Sequence, residues 1–169
     1  ILVGAGAPQH GNEPVQISGD VGVAASIWDR TSMARNQIAP YRVTMHVDST
    51  LAFSKTYERI SYAHNHFVAF DYMPGSLFGS RGIYTTLYRQ QGNSLPMYDG
   101  DGVLRGSELS MTGRFTVTIT ATDYAGNETV RTFEAEYTPR PVFSYCGFDE
   151  TGVLHVAGTG HGNGIERVE

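Results

Sequence analysis

Residues 114–123 read Arg114-Phe-Thr-Val-Thr-Ile-Thr-Ala-Thr-Asp123. Successive side chains of an extended chain point to opposite faces, so Phe115, Val117, Ile119 and Ala121 share one face. Thr116, Thr118, Thr120 and Thr122 share the other. An apolar row backed by polar, β-branched threonines predicts a half-buried antiparallel strand. Asp123-Tyr-Ala-Gly-Asn127 then predicts a turn. Its Asp caps through the carboxylate, its Gly takes the left-handed conformation and its Asn bonds back to the main chain. The chain returns with Phe133, Ala135 and Tyr137 on one face. Val130 falls out of that register, and a bulge or a late strand start is expected there.

The same period of two recurs upstream. Tyr41, Val43, Met45 and Val47 alternate with Arg42, Thr44, His46 and Asp48. Asp48-Ser-Thr50 reads as a hairpin turn, after which Leu51, Phe53 and Tyr57 resume the pattern. Val21, Val23, Ala25 and Ile27 form an earlier strand, opened by Ser18-Gly-Asp20. Residues 66–72 and 83–89 read as strands separated by the Pro- and Gly-bearing run 73–82. The only helical expectation is one turn within 58–66. Pro139-Arg-Pro141 breaks the pattern. Val142–Phe148 and Val153–Val156 then read as a hairpin around Asp149-Glu-Thr-Gly152, and there is no internal repeat.

Short strands with turns at close spacing predict an all-β fold, an immunoglobulin- or fibronectin-like antiparallel β-sandwich. The expected core is Val21, Val23, Ile27, Val43, Met45, Val47, Phe115, Val117, Ile119, Phe133 and Ala135. The stretch between residues 58 and 100 exceeds what such a sandwich needs, and is expected as an insertion packed across one sheet edge. Residues 1–138 are the predicted sandwich. Residues 139–169 are an extra hairpin with the start of a following module or tail.

Composition agrees with this class. A length of 169 residues suits one domain, or one plus a piece of another. Apolar residues make up 40% and aromatics 11%, enough for a core, while charged residues are only 17% against a usual share of about 25%. The net charge of −5 and the lack of any Lys/Arg cluster argue against a nucleic-acid surface. No apolar run approaches the roughly 18–20 residues that span a bilayer. The single cysteine, Cys146, excludes an intrachain disulfide and a two-cysteine metal site, and reads as a small buried hydrophobe. The chain opens Ile1-Leu-Val-Gly-Ala-Gly6 without an initiator Met or a charged leader and stops at Glu169 in mid-pattern, so a piece of a longer protein is expected.

Several constellations bear on chemistry. His64-Asn-His66 would set two imidazoles on one face of a strand, a spacing that suits zinc, but two ligands do not close a tetrahedral site. Surface or loop histidines are the plainer reading. Asp99-Gly-Asp101-Gly102 resembles part of a calcium loop. The further oxygen ligands and the closing Glu are missing, and Asp-Gly pairs are strong tight-turn signals. Gly158-Thr-Gly-His-Gly-Asn-Gly164 lacks the Lys-Ser/Thr of a phosphate loop and reads as a mobile linker. No Gly-x-Ser-x-Gly occurs, so a nucleophile elbow has no support. Trp28, Tyr84 and Tyr88 lie off the most apolar faces and are the candidates for a sugar-binding platform.

The runs Gly19-Asp-Val-Gly-Val-Ala24, Trp28-Asp-Arg30 and Tyr41-Arg-Val-Thr-Met-His-Val-Asp48 with Phe53-Ser54 resemble the start of a known module. It is the immunoglobulin-like module that follows the catalytic domain in secreted bacterial zinc endopeptidases of the lysostaphin type. The resemblance continues through Phe70-Asp-Tyr72 and Gly92-Asn-Ser-Leu-Pro-Met-Tyr-Asp99 to Phe115–Asn127, in the same order. Gly92–Asp99 is its most specific part. That family's catalytic domain holds zinc with a His-xxx-Asp segment and a later His-x-His. Here His10 is followed by Gly11-Asn-Glu-Pro14, so the ligand set is not carried over. The resemblance implies a non-catalytic accessory module without a cofactor of its own, the zinc belonging to the parent's catalytic domain. Its expected location is extracytoplasmic: periplasmic, envelope-associated or secreted. Its expected partners are neighbouring domains of the same polypeptide and peptidoglycan or another glycan. The alternative is a stand-alone adhesion or glycan-binding module of a bacterial envelope protein.

Overall fold

A computed structural model describes residues 2–3, 14–30, 37–73, 83–109, 113–138, 142–148 and 154–159. In chain order the first strands are β1 (Leu2–Val3), β2 (Val15–Ile17), β3 (Val21–Ala25), β4 (Asp29–Arg30), β5 (Gln37–Ile38), β6 (Arg42–Val47) and β7 (Thr50–Thr56). A 3-10 helix spans Tyr62–Asp71. Then come β8 (Thr85–Thr86), β9 (Tyr98–Asp99), β10 (Val103–Leu104), the short helix α1 (Gly106–Leu109), β11 (Arg114–Thr122), β12 (Glu128–Tyr137), β13 (Val142–Phe148) and β14 (Leu154–Thr159). The described chain is mostly strand, arranged chiefly in two sheets.

The larger sheet has the order β2-β12-β11-β6-β7-β9. Strand β11 is its spine. It pairs with β12 without a break from Arg114↔Glu136 to Thr122↔Glu128, and with β6 from Val117↔Val47 to Thr122↔Arg42. The predicted alternation holds: Phe115, Val117 and Ile119 are buried, whereas Thr118 meets Thr132 on the outer face at 3.3 Å. The turn at Asp123 is closed by the expected residues, with the Asn127 side chain bonding to the Asp123 carboxylate rather than to the main chain. The Asn127 amide donates to Asp123 Oδ1 at 2.8 Å, the Asn127 side chain donates to Oδ2 at 2.7 Å, and Gly126 has φ +89°. These bonds to the ionised carboxyl hold the Asp123 pKa below the usual carboxylate range. Strand β2 joins the far edge in parallel, Ala135↔Val15 to Tyr137↔Ile17.

In the second sheet β3 pairs with β1, β10 and β8. Val23, Ala25 and Leu104 from this sheet pack with Val43, Met45, Phe53, Phe115, Val117 and Ile119 of the larger one in a single core. Every residue of the expected core is in that cluster or packed against it. The segment between residues 58 and 100 touches both sheets at one side: β8 adds to β3, and β9 adds to β7. Strands β13 and β14 form a separate two-stranded sheet, with an irregularity between Phe143 and Tyr145.

Five local expectations are corrected. Residues 66–72 are not a strand: they lie in the 3-10 helix and its C-cap, whose N-cap Ser61 accepts from the Ala63 amide at 3.3 Å. Of 83–89 only Thr85–Thr86 is strand. Val130 neither bulges nor delays its strand; it pairs in register with Thr120 on the outer face, where it is exposed. Leu51 is 44% exposed because the β6–β7 register shifts between Met45↔Phe53 and His46↔Leu51, leaving Ala52 as the extra residue and turning Leu51 outward. Gly158 and Thr159, read as linker, belong to β14. Residues 160–164, His10, the loop 149–153 and the Cys146 side chain lie outside the described residues.

Candidate functional site

The most unusual side chain in the core is a lysine. On β7, Phe53 and Lys55 share the inner face, and both are 0% exposed. An ammonium so deeply placed needs a counter-charge and full hydrogen bonding. Lys55 Nζ donates to Asp71 Oδ1 at 2.8 Å, to the Thr86 carbonyl at 3.1 Å and to Thr85 Oγ1. Its three N–H donors are thereby used.

Asp71, 2% exposed, ends the 3-10 helix and is the hub of the site. Tyr98 donates to its Oδ1 at 2.9 Å, and Tyr57 donates to its Oδ2. The Asp71 carbonyl accepts from Thr85 Oγ1 at 3.1 Å and from Thr86 Oγ1 at 3.3 Å. Around this lies a supporting layer. Asn93 Nδ2 donates to the Tyr98 hydroxyl at 3.1 Å, while Asn93 Oδ1 accepts from the Leu95 amide at 3.0 Å. Gln90 Nε2 donates to the Phe70 and Tyr72 carbonyls, each at 2.8 Å, and so clamps the helix end from both sides of Asp71.

Burial sets the electrostatics. Desolvation lowers the Lys55 pKa, and the nearby Asp71 charge only partly opposes it. The hydroxyls of Tyr57 and Tyr98 are pushed well above the ordinary phenol value, first by burial and then by the Asp71 carboxylate. Both phenols therefore stay protonated as donors. The site holds a protonated-donor shell around one carboxylate, with an amine whose pKa burial holds below the ordinary lysine value.

Tyr57 and Thr85 also line a recess that opens to solvent, with Ile27, Trp28, Pro40, Tyr72 and Ile83 around them. It encloses about 460 Å³, counting the part open to solvent. Trp28 is 45% exposed at its rim.

The candidates read from the sequence lie elsewhere or apart. His64 and His66 are on the 3-10 helix, not on a strand, and residues two apart on a helix do not face each other. His66 lies near Phe67 with ring centroids 4.0 Å apart, and His64 Nδ1 is buried without a hydrogen-bond partner among the described residues. Among the described residues no group of three or more His, Cys, Asp or Glu could hold a metal ion. Asp99 ends β9, and Gly100 (φ +77°) and Gly102 (φ +67°) turn the chain towards β10. Asp101 Oδ1 accepts from the Val103 amide at 3.1 Å, and the Asp101 carboxylate is bridged by Arg105. Of the sugar-platform candidates, Trp28 lines the recess. Tyr88 lies against Gly22, and the Tyr84 carbonyl accepts from the Met73 amide at 2.9 Å.

No protein-family model, curated protein or solved structure matches the chain. The site therefore stands on its own chemistry. Sequence reasoning passed over Lys55 and Asp71. The signal for Lys55 was present: it sits between Phe53 and Tyr57 in the inward alternation. Asp71 had only its place in Phe70-Asp-Tyr72, with nothing local to mark it as the partner of a residue on β7.

Proposed function

We propose that this chain is an immunoglobulin-like, non-catalytic accessory module of a secreted zinc endopeptidase acting on peptidoglycan cross-links, and that it works by positioning. The strand order carries the reading. In an immunoglobulin-type sandwich one sheet runs G-F-C-C′ and the other sets B beside E. The order β12-β11-β6-β7, with β3 beside β10 in the opposite sheet, fits that plan. The resemblance from Gly19 to Asn127 supplies the enzyme context and the extracytoplasmic location. The buried polar hub supports a structural role, since its ionisable groups are enclosed rather than presented to a substrate.

A tethered module raises local concentration without altering the chemical step, by up to about 10²-fold or more. Deleting the module from the full-length polypeptide should therefore lower activity on intact sacculi far more than on a short soluble cross-link peptide. Equal loss on both substrates, or loss on neither, overturns the positioning role. One observation favours a second reading, a glycan-binding or adhesion module: the half-exposed Trp28 beside an open recess. Saturable binding of the isolated chain to soluble wall glycan, abolished by Trp28→Ala, would decide for it.

A further inference from the structure

We propose that Lys55 and Asp71 are joined by a side-chain amide, formed by the protein itself, that covalently braces β7 to the end of the 3-10 helix. The geometry that points to it is the enclosure of an amine and a carboxyl in contact, with a partner waiting for every atom of the product. Nζ and Oδ1 are 2.8 Å apart, and both side chains are almost wholly removed from solvent. Reactants fixed in this way gain the advantage of an intramolecular reaction.

The step balances within the pair. Proton exchange converts the ammonium and carboxylate into an amine and a carboxylic acid; burial, which lowers the Lys55 pKa, eases loss of the ammonium proton. Nζ then adds to Cγ. The Nζ–Cγ bond forms, the Cγ–Oδ2 bond breaks, and Oδ2 departs as water carrying two protons that began on the ammonium. The third proton stays on the amide nitrogen. No oxidant, reductant or other reactant is needed.

The surroundings match each part. Thr85 Oγ1 and the Thr86 carbonyl accept hydrogen bonds from Nζ before the reaction, and one of them suffices for the single amide N–H afterwards. Tyr98 donates to Oδ1, where negative charge develops during addition and where the amide carbonyl ends. Tyr57 donates to Oδ2, the leaving oxygen, and its ring lines the solvent-open recess. Water released there has a way out, and Tyr57 keeps a partner in solvent once Oδ2 has gone. The amide replaces two buried formal charges by one neutral group, removing the desolvation cost of an enclosed ion pair.

Intact mass spectrometry of the denatured full chain tests this. The expected mass is lower than the sequence mass by one water. Proteolysis should yield a branched peptide linking the Lys55 segment to the Asp71 segment, absent from Lys55→Arg and Asp71→Ala. The full sequence mass in the wild type overturns the proposal. So does a water deficit that persists in both variants and maps to Asp99-Gly100 or Asp101-Gly102, where Asp-Gly sequences can lose water by closing a succinimide. The branched peptide is sought in the wild type, so a variant that folds poorly does not blur the outcome.

Discussion

In the β6–β11 ladder the fully buried side chains are Val43, Met45 and Val117, three apolar residues at alternating positions. In and against the segment from residue 58 to 100 they include Asp71 and Thr86, and the β7 residue facing them is Lys55. The ladder is continuous over nine paired positions between β11 and β12. Among its described residues the segment has two two-residue strands, a 3-10 helix and side chains that substitute for a ladder. The lesson is about what fixes a chain in place. Long strands are held by main-chain pairing with apolar burial behind it. A segment too irregular to pair continuously is held at a few polar anchors.

The largest expected effect falls on the ladder. Val117→Asp buries an unpaired carboxylate at a 0% exposed position and should abolish folding. Thr118→Asp, one residue along on the outer face, should change stability by less than about 0.5 kcal/mol. Urea unfolding of the two variants checks this, and equal sensitivity would mean that the two faces are not distinguished as described.

Next comes the anchor. Asp71→Ala leaves Lys55 buried without a counter-charge and should cost about 3–5 kcal/mol. The double substitution Lys55→Met/Asp71→Leu removes both charges and should be much milder than Asp71→Ala alone. Comparing the two by urea unfolding separates the cost of an orphaned charge from the worth of the pair. A double variant as unstable as Asp71→Ala would contradict the account.

A smaller effect concerns the glycine at which the segment meets β10. A Cβ on Gly102 would lie 2.1 Å from the Leu87 carbonyl oxygen and 2.8 Å from Tyr88 Cα, with φ at +67°. Gly102→Ala should cost about 1–3 kcal/mol through overlap with main chain that cannot step aside. Gly92→Ala has comparable φ strain (+83°) but nothing within 4 Å, and should cost less. Thermal unfolding of both variants measures the difference, which is the steric part alone.

The smallest effect is silent at neutral pH. Tyr57 and Tyr98 have hydroxyl pKa values raised on folding, so their contribution is fully present below the ordinary phenol value and is lost as pH rises beyond it. Above roughly pH 10 the unfolded chain releases protons that the folded chain keeps, and stability falls by up to about 1.4 kcal/mol per pH unit for each group. Tyr57→Phe should flatten that alkaline decline relative to wild type in urea midpoints measured across pH 9–11. An unchanged slope would show that burial does not raise the Tyr57 hydroxyl pKa on folding.

The ladder was legible because its period of two runs unbroken through β6 and β11, and the positions named from it are the core. Legibility failed where one residue broke the period. Ala52 adds a bulge that turns Leu51 outward, and nothing in Leu51-Ala-Phe53 announces it. Val130 looked misplaced only because an exposed apolar residue on the outer face is indistinguishable, by sequence, from a shifted core residue. Phe67, Val68 and Phe70 suit a short buried strand as well as a helix, and tertiary contacts at Asp71 and Gln90 decide for the helix. Lys55 was legible by position but not by type, since a lysine in a strand is ordinarily read as facing solvent. Its partner lies 16 residues away, and no local pattern links them.

The central claim is that Asp71 anchors the segment to the sheet while the ladder stands independently. Native-state hydrogen exchange across low urea concentrations, in wild type and Asp71→Ala, tests it directly. In the variant the amides of Tyr72, Met73 and Leu87, which bond to Ala69, Tyr84 and Val23, should exchange through a small local opening with little urea dependence. Amides of Thr116–Thr122 should still exchange only through global unfolding, with its full urea dependence. If both sets share one opening free energy and one urea dependence in the variant, the two regions are a single cooperative unit and the claim is wrong.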